Sequence, residues 1–113
     1  MKSNKKQIMD TADLYQSIIS VIQKSFIKPA ERFGLSVTEL KGLDPSIEDL
    51  ILHLKGINVI LGLFAKDDHS KINMAIDASQ CVVIMERIAQ AIRKEDQEAV
   101  DKLIIELKKH ANY

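Results

Sequence analysis

Residues 44–64 read D-P-S-I-E-D-L-I-L-H-L-K-G-I-N-V-I-L-G-L-F, the most apolar stretch of the chain. Asp44 and Pro45 open a helix: an Asp oxygen can accept from a free backbone N–H, and proline's missing donor is harmless in the first turn. Ile47, Leu50, Ile51, Leu54, Ile57, Leu61 and Phe64 recur at steps of three and four, which is one helix face. The second half differs. Ile57, Val59, Ile60, Leu61, Leu63 and Phe64 surround the helix, and a helix apolar on every side is expected to be covered on every side. The run is too short to span a bilayer, and Asp49, His53 and Lys55 interrupt its first half. Gly56 and Gly62 are six residues apart, so they do not make the close-approach G-x-x-x-G pair. They are expected to let a neighbouring helix approach, or to mark a bend.

Around this helix the remaining apolar periodicity is also helical. From about Lys5 to Ile27, the residues Ile8, Ala12, Tyr15, Ile19, Ile22 and Phe26 form a heptad-like seam, which Leu14, Ile18 and Val21 widen. Lys28-Pro29 is expected to end that helix. A connector over 28–44 follows. In it, residues 29–33 form a short turn of helix closed by Gly34 as a left-handed cap, and Ser36 with Glu39 forms a capping box. Residues 66–70 are a polar loop. A third long helix over 71–93 carries Ala75, Ala78, Val82, Met85, Ala89 and Ile92 on one seam. Asp96 caps a last helix over 97–111, with Val100, Leu103, Ile104, Leu107 and Ala111 inward. Nothing alternates like a strand. Short links make neighbouring helices antiparallel. The expected fold is all-α: a single-domain, four-helix, mostly up-and-down bundle over residues 1–113, with a short helical connector between the first two long helices.

Composition narrows the function. Sixteen Lys and Arg balance sixteen Asp and Glu, so the formal net charge is zero, which argues against nucleic acid and anionic membranes. One cysteine, Cys81, cannot form an internal disulfide and suits a reducing cytoplasm. The N-terminus has no signal-peptide apolar core, and tryptophan is absent. His53, His69, Cys81 and His110 show no zinc-ligand spacing. His69, Asn73 and Asp77 share one helix face near Asp67 and Asp68, a pattern read as a solvated helix start and not as a metal site. No glycine loop for phosphate and no nucleophile elbow are present, so no catalysis, cofactor or metal is expected.

Two segments resemble known families. Leu54-Lys55-Gly56, with Gly62 later, resembles the H-x-L-K-G segment of histidine phosphotransfer domains, themselves helical bundles. Residues 85–100 resemble that family's last helical hairpin. The resemblance implies a phosphotransfer-like bundle with Lys55 near the phosphate. The family's spacing puts the phospho-accepting His at Leu52, while this chain has His53. Residues 30–40, A-E-R-F-G-L-S-V-T-E-L, resemble a helix-turn-helix core and imply a DNA-binding regulator. Pro29, Gly42 and Pro45 shorten its would-be helices, and Glu39 sits where base edges would be read.

The reading these features favour is a small cytoplasmic protein acting by protein–protein contact, as an adaptor, regulator or inhibitor. A homodimer or a partner's groove would absorb the surplus apolar surface. The expected contact residues are Tyr15, Phe26, Phe33, Ile57, Ile60 and Phe64, and the expected phosphotransfer-like residues are His53 and Lys55.

Overall fold

The computed structural model describes residues 11–111, apart from the Asp44 side chain. The expected start of the first helix at Lys5, the seam residue Ile8 and the capping role of the Asp44 carboxylate lie outside the described residues. All regular structure among the described residues is helical.

The first rod is longer than proline chemistry suggests. It runs as α1 (Thr11–Ile22), a π-helical turn (Gln23–Ile27) and α2 (Lys28–Phe33), with right-handed helical backbone at both junctions. Pro29 therefore does not end the helix. An internal proline kinks or breaks an α-helix because the ring crowds the carbonyl four residues back and no N–H reaches it. Here the Lys28 N–H bonds the Gln23 carbonyl, five residues back. The wider turn absorbs one extra residue ahead of the ring, so the rod passes the proline. Two consecutive residues of this turn, Phe26 and Ile27, lie in the core.

Gly34 stops the rod at last. Its N–H donates to the Ala30 carbonyl at 2.8 Å. Its φ of 119° with ψ of 150° is not the left-handed helical cap expected from sequence, but an extended positive-φ state open essentially to glycine alone. The Glu39 carboxylate occupies the space a Cβ would need. Ser36 then caps α3 (Val37–Lys41), accepting from the Glu39 N–H at 3.2 Å. The Glu39 carboxylate does not reach back to the Ser36 N–H. It accepts from the Ser36 hydroxyl at 2.8 Å.

α4 (Asp44–Ala65) buries Ile47, Ile51, Leu54, Leu61 and Ala65. Asp68 accepts from the Ser70 N–H and opens a short 3₁₀ turn (His69–Lys71) that leads into α5 (Ile72–Arg93). Asp96 accepts from the Ala99 N–H at 3.1 Å and caps α6 (Gln97–His110), as its position predicts.

Polar ties give the register. Asn58 with Ser79 (3.1 Å), Lys55 with Glu86 (2.7 Å) and Glu48 with Arg93 pair α4 and α5 in opposite directions. The Gln23 amide donates to the Ala111 carbonyl (2.6 Å) and Lys108 pairs with Glu31 (2.7 Å), tying the first rod to α6. The Gln97 side chain pins the connector: it accepts from the Val37 N–H at 2.7 Å and donates to the Leu35 carbonyl at 3.0 Å. The core is one cluster reaching from Leu14 to Ala111, and α5 contributes to it along most of its length through Ala78, Val82, Met85, Ile88 and Ile92. The result is an all-helical bundle. No described helix is long and apolar enough to cross a membrane.

Candidate functional site

Two features remain after the core is accounted for. The first is the outer face of α4. Leu61, Leu54 and Ala65 point into the core, and at about 100° per residue the opposite side of the helix carries Leu52, Gly56, Val59 and Leu63. Leu52 is 67% exposed, Val59 63% and Leu63 59%, with Ile60 and Phe64 also exposed beside them. An apolar band of this extent on a surface helix is a candidate contact region. A Cβ added at Gly56 or Gly62 would meet no other atom within 4 Å. Neither glycine therefore serves close packing inside this chain, although each weakens a helix interior by about 1 kcal/mol relative to alanine.

The expected contact residues divide. Phe64 and Ile60 stand on the exposed side of α4, and Phe33 is exposed at the end of the first rod. Ile57 is partly buried against the core. Phe26 is only 2% exposed and belongs to the core, four residues on from the buried Ile22 on the inward seam. Tyr15 is partly buried and committed to a hydrogen bond. His53 is exposed and sits a full 100° step from Leu52, the position that phosphotransfer spacing requires, while Lys55 is engaged with Glu86. The 30–40 segment does not form a recognition helix: α3 is five residues long, and Val37 and Leu40 are buried.

The second feature is a polar cluster where α1, α5 and α6 meet. The Tyr15 hydroxyl donates to Asp77 Oδ2, and His110 Nδ1 lies 2.7 Å from Asp77 Oδ1. Cys81, one turn along α5 from Asp77, is fully buried. Donor atoms of Asp77, Cys81 and His110 all lie within 4.8 Å of one another. Burial, then the Asp77 charge, pushes the Cys81 thiol up to about 12. Burial and the hydrogen bond to Asp77 hold the Tyr15 phenol above its usual range. His110 also lines a groove of about 660 Å³ floored by α5 residues Ala75, Ser79 and Val83 and edged by Gly62 of α4 and Glu106 of α6.

Sequence spacing does not reveal this cluster. It groups Asp77 with His69 and Asn73, whereas His69 lies exposed in the 3₁₀ turn and Asp77 faces α6. The local signal is the i,i+4 spacing of Asp77 and Cys81, which lie beside the buried Ala78–Val82–Met85 seam. His110 joins them only because α6 folds back along α5.

No family model matches the sequence, and no curated protein or solved structure matches it.

Proposed function

We propose that this chain is a cytoplasmic, four-helix, mostly up-and-down bundle that acts through protein–protein contact and not by catalysis, as an adaptor or regulator. The outer face of α4 is its contact surface, and the occupant that face fits is a second copy of the chain. The observation carrying this reading is the exposed seam Leu52–Gly56–Val59–Leu63, which steps by four, three and four, the spacing of a helix-pairing stripe.

The seam is self-complementary in the antiparallel sense. With a twofold axis beside Ile57 and Asn58, Leu52 meets the partner's Leu63 and Gly56 meets the partner's Val59. One step outward, Asp49 meets the partner's Lys66, so opposite charges close both ends of the stripe. The bare Gly56 lets Val59 of the other copy approach the backbone, which gives that glycine the packing role it lacks within one chain.

A charge-swap series tests the reading. Asp49→Lys or Lys66→Asp alone places like charges at both ends and weakens dimerisation, by roughly tenfold for the two symmetric pairs together if each contributes within the ~0.2–1 kcal/mol range of exposed pairs. The double variant restores it. Equal dimerisation in all four proteins refutes the antiparallel pairing.

A further inference from the structure

We propose that Asp77, Cys81 and His110 form a binding site for a divalent transition-metal ion of the zinc class, clamping α6 to α5 at the end of the bundle where Tyr15 closes the cluster.

The donor set suits that ion. Thiolate, imidazole and carboxylate together are zinc ligands, and three protein donors leave a fourth position for water or a small ligand. The geometry is close to what binding needs. Two donors on a tetrahedral zinc lie ~3.5 Å apart, given bond lengths of ~2.0–2.3 Å. The three donor atoms already lie within 4.8 Å of one another, with the Asp77–His110 pair at 2.7 Å. Binding requires the Asp77–His110 pair to open by about an ångström and the Cys81 sulfur to come to the same separation, shifts of the size that side-chain rotation supplies.

Three further observations support the assignment. Asp77 and Cys81 are a one-turn pair on a rigid helix, so two ligands are preset by α5 alone. The second Asp77 oxygen accepts from Tyr15, the outer hydrogen bond that typically orients a carboxylate ligand. Finally, His110 lines the groove over α5 and is only partly buried, so the cluster has one ligand within reach of solvent although its sulfur is fully buried.

Cobalt(II), added to chelator-treated full-length protein, is the probe. The expected result is saturable binding of one ion per chain, with the intense visible bands of a tetrahedral ion and a near-ultraviolet thiolate-to-cobalt absorption, both discharged by zinc. Cys81→Ala, a small apolar replacement in a buried slot, abolishes the thiolate absorption. His110→Gln, at the partly exposed end of α6, weakens binding at least ~10-fold with helicity unchanged, and Tyr15→Phe weakens it ~10-fold by freeing the Asp77 carboxylate. His53→Gln and His69→Gln leave it unchanged. Absence of saturable binding overturns the proposal. So does a thiolate band that survives Cys81→Ala, or affinity in folded His110→Gln equal to that of the parent protein.

Discussion

The first rod and α4 are both rich in apolar residues, and the bundle uses them in opposite ways. Along α1 and the π turn, Ile18, Ile19, Ile22, Phe26 and Ile27 all go inward. Consecutive side chains are buried both in the regular helix, at Ile18 and Ile19, and in the π turn, at Phe26 and Ile27. Along α4 the inward face is equally complete, but Leu52, Val59, Ile60, Leu63 and Phe64 stay outside. A phenylalanine is 2% exposed in one rod and 47% exposed in the other. Apolar content therefore separates into two uses: one part stabilises the chain, and the other is surface that a second molecule can cover.

Substitutions that treat the two regions alike should give unlike results. Phe26→Ala has the largest expected effect, a loss of ~3–5 kcal/mol in denaturant unfolding, because a filled core site becomes a cavity. Phe64→Ala should change monomer stability far less, and a comparable loss there would erase the distinction. Gly34→Ala comes next. The positive φ and the adjacent Glu39 carboxylate predict a destabilisation of ~1–3 kcal/mol, again read from unfolding midpoints. Smaller still, Gly56→Ala and Gly62→Ala should each stabilise the monomer by up to ~1 kcal/mol, since alanine is the better helix former and has room at both sites. They should part company in association: Gly56→Ala crowds the partner's Val59 and weakens pairing, while Gly62→Ala, off the seam, does not.

The smallest effect is at Asp68, where hydrogen bonds from the Ser70 hydroxyl and N–H lower the pKa of an exposed carboxyl. A lowered folded-state pKa means the contribution is present above the unfolded value and lost as pH falls through the folded one. Asp68→Asn should therefore slightly lower stability at neutral pH, leave it unchanged at strongly acid pH, and so flatten the acid limb of a stability–pH curve.

Much of this organisation is legible in the sequence, for identifiable reasons. Period-3.6 seams place α4, α5 and α6 closely, and Ser36 and Asp96 announce their caps, because these are local signals. The passage through Pro29 is not legible. Proline's local rule favours a stop, and the π turn that overrides it stabilises the fold through Phe26 and Ile27 entering a core assembled from distant helices. The outer face of α4 shows in the sequence as an all-round apolar half, but periodicity alone assigns such a segment to the interior. Only the packing reveals that no other described helix covers it. The cluster of Asp77, Cys81 and His110 is the least legible, since its third member is brought in by the return of α6.

The measurement bearing most directly on this account is the solution mass of the purified protein, by light scattering on a sizing column across a concentration series, with Leu52→Asp run beside it. The account predicts twice the protomer mass for the parent protein at the upper concentrations. Leu52→Asp is expected to be a monomer with unchanged helicity, and its unfolding midpoint should match the parent's only at concentrations low enough for the parent to be monomeric as well. A parent protein that stays monomeric at every concentration, or a Leu52→Asp variant with the parent's mass, would contradict it.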